Sequence, residues 1–336
     1  MAEIATEVRA LLGRNERHAA LRYAMAASEQ LLRTPSDALR MDLRRRVFKQ
    51  LSSKGVFYQG EDFESVDYGQ YELAADLPMF RGPAVPAAAL EQGDYFCVIG
   101  AAQTFGRLVS RPWPLLLGET LGLAPLNLSG GGLGPEFFLN PKLIQLARGA
   151  RFVVLQVMSG RSVGCEDYPG GRRITREGKP TKVHRLDVLK GLWQEDPAIA
   201  FEYVRRWNES YLALYRELRA LIDRPTLLLW ISNRSPDAWA PGRLLKKPQT
   251  GSFPQLVGRK LYESVAALFD ERFEHITGPS SEQPLSRITG EPCPYLGVRG
   301  KDLQTEITYY PSSADHALLA ESLAPLARDM LRTSGR

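Results

Sequence analysis

Cysteine and histidine are scarce in this chain of 336 residues, three and four respectively. Cys97, Cys165 and Cys293 are odd in number and far apart, so they make neither a disulfide framework nor a zinc set. No metal site is expected. Cys97 lies inside an apolar run and reads as a small core residue. Blocks of about five or six like charges are missing too, which argues against a nucleic-acid arm. The net charge of +5 comes mostly from arginines scattered beside acids, a pattern suited to small anionic groups. No apolar run approaches the roughly 18 residues of a membrane span. The N-terminus is charged from its third residue and has no signal-like apolar core, so a cytoplasmic location is expected.

What is present is an ordinary globular composition, 44% hydrophobic and 24% charged, long enough for one large α/β domain with an appendage. Residues 1–54 carry helical periodicity: Ile4, Val8, Leu11 and Leu12 form one face, and Leu21, Met25, Ser28, Leu31 and Leu32 another. "TPSDALRMDLRRRVFKQL" predicts a third helix capped by Thr34 or Ser36. Such an appendage suits packing or homo-oligomerisation. Residues 55–93, rich in aromatics, Gly and Pro, read as an irregular lead-in, and 94–336 as the α/β domain. There "YFCVIG", "APLN", "RFVVLQVM", "PTLLLWIS" and "RFEHITG" read as strands. Between and after them, "RPWPLLLGETLGL", "PEFFLNPKLIQLARGA", "PAIAFEYVRRWNESYLALYRELRALI", "FPQLVGRKLYESVAALFDE" and "SADHALLAESLAPLARDML" read as helices. The alternation predicts a three-layer sandwich around a mainly parallel sheet. Ligands of such sheets sit beyond the carboxyl ends of the strands, here residues 100–107, 127–134, 159–164 and 232–237.

The first of these ends, "GAAQTFG", holds no serine, cysteine, lysine or acid. Gly100, Gln103 and Thr104 are its candidates, with Thr104 equally fit to cap the next helix. In "NLSGGGLG", Asn127 precedes glycines whose amides can approach a bound oxygen, Gly131 at their centre. "MSGRS" offers Ser159, Arg161 and Ser162; Arg161 can instead pair with Glu166 or Asp167. His316, beside Asp315 at the start of the last helix, is the candidate base, its pKa lowered by the helix N-terminus. The basic segment 168–185, with Arg172, Arg173 and Lys182, fits a lid over an anionic ligand or a solvated loop. Trp239 suits stacking on a sugar ring and loop packing about equally.

The order of these pieces resembles the SGNH, or GDSL-type, hydrolase superfamily, with its G-D-S-x-T-x-G turn, glycine block, G-x-N-D block and late D-x-x-H. Gly100, Thr104 and Gly106 fall on fixed positions of the first block, Gly130–Gly132 suit the second, Gly160 and Ser162 lie near the third, and His316 matches the last. Residues 63–325 more closely resemble a bacterial SGNH-like family of unassigned function, through "DYGQYEL", "MFRGP", "AQTFG", "NLSGGG", "LQVMSG" and "ADHALLAESL". The resemblance implies an SGNH-like fold. It also exposes departures. The nucleophilic serine maps onto Ala102, the acid before it onto Ala101, the asparagine of the third block near Arg161 or Ser162, and the acid three residues before the histidine onto Ser313. A serine–histidine esterase mechanism does not carry over.

"IGAAQ" is also similar to the G-x-x-Q turn of certain capsule-biosynthesis acyltransferases that bind coenzyme A, whose cysteine would fall at Ala102. Acetyl-coenzyme A and the sulfuryl donor PAPS share a 3′-phosphoadenosine unit that a glycine turn and arginines could hold. Direct transfer needs a base and anion-holding donors but no covalent nucleophile. The expected function is therefore transfer or removal of a small ester group on a carbohydrate-type substrate. A PAPS-dependent sulfotransferase and a catalytically inactive binding or scaffold protein are the alternatives.

Overall fold

The five runs expected as strands pair into one all-parallel sheet in a computed structural model of the chain. The structure describes residues 1–53, 60–163, 173–174, 180–181, 185–278, 280–297 and 303–334. The strands are β1 (Tyr95–Ile99), β2 (Ala124–Asn127), β3 (Val153–Gln156), β4 (Thr226–Ser232) and β5 (Glu271–Ile276), in spatial order β2-β1-β3-β4-β5. Every residue of β1, β3 and β4 is buried, as the continuous apolar runs of a sheet covered on both faces require.

Alternate residues feed two cores. Cys97, Ile99, Leu155 and Trp230 point into one, where they meet Ile144, Trp207 and Tyr262 of helices Pro141–Gly149, Pro197–Ile222 and Arg259–Ala266. Phe96, Val98, Val154 and Leu229 point into the other, against Trp113, Leu117, Leu319 and Leu323 of helices Trp113–Leu121 and Ser313–Ser334. The long helix Pro197–Ile222 starts where the Asp196 side chain accepts from the Ala198 amide and Pro197 fills the first position. Helix Trp113–Leu121 stops at Gly122, whose φ of +67° suits glycine.

The appendage consists of α1 (Ala2–Gly13), α2 (Arg17–Leu31) and α3 (Asp37–Leu43). The last is capped by the Ser36 hydroxyl and continues through a π-type turn to Ser53. The buried stripe of α2 is Leu21, Met25 and Ser28, continued by Leu32 at the helix's C-cap, at steps of four, three and four; Leu31, expected on it, falls one position short and is exposed. Phe48 stacks on Phe63 of the lead-in with ring centroids 4.4 Å apart. One cluster joins these rings to Met79, Tyr68 and Phe105.

The expected helix over 253–271 is shorter, Arg259–Ala266. Ahead of it the buried Arg234 takes the chain's carbonyls: it donates to Ser252, Pro254 and Val257 oxygens, which no helix then uses. Burial pushes Arg234 down to about 10. No described helix is long and apolar enough to cross a membrane.

Candidate functional site

The strand order reverses between β1 and β3, so the loops leaving them diverge and open a crevice at the carboxyl end of the sheet. A cleft of about 60 Å³ lies there. That volume takes a few waters or one small substituent. Ala101, Ala102 and Gln103 after β1 and Ser159, Arg161 and Ser162 after β3 line two sides. Phe253, Tyr309 and Tyr310 line the rest, together with Gly132 and Leu133.

The turn after β1 is held tightly. The Gln156 side chain, at the end of β3, accepts from the Ala101 amide at 2.7 Å. A Cβ at Gly100 would stand 2.6 Å from Gln156 Oε1 and 2.9 Å from Thr104 Cβ, so glycine is required for this close approach. Thr104 does not cap a helix; it lies inside helix Ala102–Phe105, fully buried, its hydroxyl without a partner among the described residues. Behind the turn, the buried Arg81 donates to the Gly106, Val109 and Ser110 carbonyls. Arg107 grips Asp62 with two bonds of 2.6 and 2.9 Å and donates to the Tyr310 hydroxyl at 2.9 Å. This pair, fully buried, fixes one aromatic wall of the cleft.

Of the candidates read from sequence, Gln103, Ser159, Arg161 and Ser162 come together in the cleft. Ser159 donates to Gln255 Oε1 at 2.6 Å and accepts from the Arg161 amide. Asn127 is buried and works on its own turn, accepting from the Ser129 amide at 3.1 Å. In the glycine block Gly132, at φ +76°, lines the cleft rather than Gly131, and the Gly130 amide is used on the Gly100 carbonyl at 3.2 Å. Trp239 is no stacking platform: it is 2% exposed, within the core of the sheet's first face. Arg172, Lys182, Glu166, Asp167 and the side chain of Arg173 lie outside the described residues, and with them the proposed lid.

His316 is not placed to be a base. It is fully buried and does not line the cleft. Its Nδ1 accepts from the Trp113 amide at 3.1 Å, so the neutral ring carries its proton on Nε2. Nε2 thus has no lone pair to receive a proton, and among the described residues it has no partner. Burial, reinforced by Arg81, pushes the imidazole down to about 3. Asp315 turns elsewhere: its Oδ2 accepts from the Ser312 amide and hydroxyl, and its Oδ1 lies 3.6 Å from His275 Nε2. Burial opposes its ionisation, but His275 and the Ser312 bonds outweigh it and hold Asp315 at about 2.

Sequence reasoning missed Tyr309 and Tyr310, which arrive from an irregular segment without periodicity, and Phe253 and Gln255, which it placed inside the expected helix over 253–271. The "TYYPSS" run just ahead of the last helix is the one local signal that could have found the tyrosines. Among the described residues no group of three or more His, Cys, Asp or Glu is placed to hold a metal. Among those lining the cleft, Arg161 is the single charged side chain.

Residues 57–168 match a family model described as a domain of unknown function, DUF6473. No curated protein matches the sequence. Among solved structures, the chain is similar to a carbohydrate esterase family 2 enzyme with a carbohydrate-binding domain from Myceliophthora fergusii, at 13% identity and a TM-score of 0.34, covering 76% of this chain and 70% of that one. It is also similar to phospholipase A1 from Streptomyces albidoflavus, at 9% identity and a TM-score of 0.38, over 71% and 99% of the two chains. A protein assigned to the lipolytic G-D-S-L family of Desulfitobacterium hafniense aligns at 13% identity and a TM-score of 0.35, over 69% and 99%. Likeness at this level carries no residue role across.

Proposed function

We propose that this chain binds a small acidic or acyl-bearing group of a carbohydrate-type ligand in the strand-end cleft and holds it without covalent chemistry. One observation carries the reading: the cleft has the place and the aromatic walls of a ligand site, yet Ala102 stands at its turn and none of its described lining residues is a histidine or a carboxylate. Ser159 and Ser162 have no base among the described lining residues to activate them. Arg161 supplies positive charge, and the rings of Phe253, Tyr309 and Tyr310 wall the space with apolar surface against which a small acyl group can pack.

The enzyme readings lose their base with His316. The described lining gives a 3′-phosphoadenosine donor little support, since Arg161 is the single cation there for a ligand carrying several phosphates. The transferred group alone is of the right size.

The test combines binding and reactivity. Titration with glucuronate and with an O-acetylated glucose, followed by calorimetry or thermal stability, is expected to give saturable binding that Arg161→Ala weakens roughly tenfold or more. The same protein should neither label with a fluorophosphonate nor hydrolyse 4-nitrophenyl acetate above the buffer rate. Hydrolysis or labelling that disappears in Arg161→Ala would replace the binding protein with an esterase. Turnover of acetyl-coenzyme A or PAPS would restore the transferase.

A further inference from the structure

Gln103 lines the cleft, is 3% exposed, and its Oε1 is buried with no hydrogen-bond partner among the described residues. A buried acceptor left unsatisfied is costly, so a site built around one favours a ligand that brings the donor. Two polar groups of the neighbouring turns are already committed: the Ala101 amide donates to Gln156 at 2.7 Å, and the Ser159 hydroxyl to Gln255 at 2.6 Å. Ser162 is less committed. Its hydroxyl reaches only the Gly132 carbonyl, at 3.5 Å, too long for a strong O–H···O bond, and it lines the same space.

Apolar side chains share the lining with these two: Ala101 and Ala102 offer methyl groups and Phe253 a ring. The space of about 60 Å³ holds roughly four heavy atoms. An acetamido group has that size and the matching polarity. Its N–H donates to Gln103 Oε1, its carbonyl oxygen accepts from the Ser162 hydroxyl, and its methyl packs against the alanines and Phe253. An acetyl ester has the same outline but presents an oxygen where the amide presents N–H, which sets acceptor against acceptor at Gln103.

We propose that the cleft selects N-acyl over O-acyl ligands, reading an acetamido group by its N–H at Gln103 Oε1. This rests on the binding function proposed above and names which acyl class it takes. A site that hydrogen-bonds a ligand N–H rejects the analogue lacking it far more strongly than an apolar pocket does. The selection needs no charge, because the amide and the ester are both neutral.

N-methylacetamide and methyl acetate differ in that one group and are the probes, read by ligand-detected NMR on the full chain. The amide is expected to bind the wild type about tenfold more tightly than the ester, and N,N-dimethylacetamide, which keeps the carbonyl but has no N–H, no better than the ester. In Gln103→Met, which removes the acceptor at nearly constant volume, the ratio of amide to ester affinity should fall to about one. Ser162→Ala should weaken both probes alike and leave the ratio unchanged. Unchanged melting temperatures identify the variants as folded, and the wild-type comparison of three probes needs no variant at all. Equal affinity of amide and ester, or of the two amides, overturns the N–H reading while leaving acyl binding in place. A folded Gln103→Met protein that keeps the preference overturns the role of Gln103. Binding of none of the three overturns acyl binding as well.

Discussion

At the residue scale, one hydrogen bond decides what His316 can do. A helix-start histidine next to an aspartate reads in sequence as a base, because sequence shows the neighbour and not the tautomer. The Trp113 amide, far away in the chain, takes the Nδ1 lone pair and turns the other nitrogen into a donor. Two outcomes follow. Ala102→Ser should not create an esterase: with no described base lining the cleft, the new hydroxyl stays protonated, and 4-nitrophenyl acetate hydrolysis should stay at background. The second outcome is a pH effect. A histidine at about 3 when folded and near 6.5 when unfolded leaves the unfolded chain binding more protons between those values. Its contribution is therefore complete above about pH 6.5 and is lost as pH falls toward 3, by several kcal/mol. His316→Asn, whose side-chain oxygen can still accept from the Trp113 amide, should be less stable at pH 8 yet lose much less between pH 7 and pH 4. Urea midpoints across that range measure it. If the two proteins lose stability in parallel, His316 is not the buried neutral group described here.

At the scale of elements, the sheet was legible and the cleft only half so. β1, β3 and β4 are continuous apolar runs; the turns after β1 and β3 bring Gln103, Ser159, Arg161 and Ser162 together, whereas residues 232–237 after β4, also expected there, do not line the cleft. The other wall was not legible, because Tyr309 and Tyr310 are positioned by tertiary contacts rather than by local pattern. Trp239 failed for the converse reason: an aromatic in a polar loop looks available until the fold turns it into the core. The contact that places the tyrosine wall is the Arg107–Asp62 pair, which joins the lead-in, the site turn and the segment ahead of the last helix. Both side chains are fully buried. Asp62→Asn leaves the guanidinium with a neutral partner in a dry setting, where breaking such a pair costs about 3–5 kcal/mol. The urea midpoint should fall accordingly with an unchanged m value, and glucuronate binding should weaken with it, since Tyr310 loses its anchor. Loss of stability with affinity intact would place Arg107 outside the support of the cleft.

At the scale of the whole molecule, the N-terminal helices are part of the same packing problem as the site. Their periodicity announced an amphipathic appendage, and such a face is equally good for a partner or for the chain itself. The structure spends it internally: Val47, Phe48 and Leu51 are fully buried with Phe63, Tyr68 and Met79, and the cluster reaches Phe105, the last residue of the helix that begins at Ala102. Polar bonds run along the same seam. Arg40 holds the buried Glu64 through two bonds of 2.9 Å, and Arg17 donates to the Leu77 and Ala74 carbonyls while pairing with Glu72 at 2.6 Å. Removing residues 1–53 would uncover Phe63, Met79 and Phe105 together and strip Glu64 of its cation. Exposed contiguous apolar surface of this kind drives aggregation rather than leaving a smaller stable domain. The truncated chain is therefore expected to elute as aggregate, with near-UV ellipticity lost and glucuronate binding abolished, whereas the milder Val47→Ala should keep a monodisperse fold destabilised by about 1–3 kcal/mol. A truncated protein that stayed monodisperse and bound glucuronate as the full chain does would show that the helices are a separate module and that the site turn stands without them.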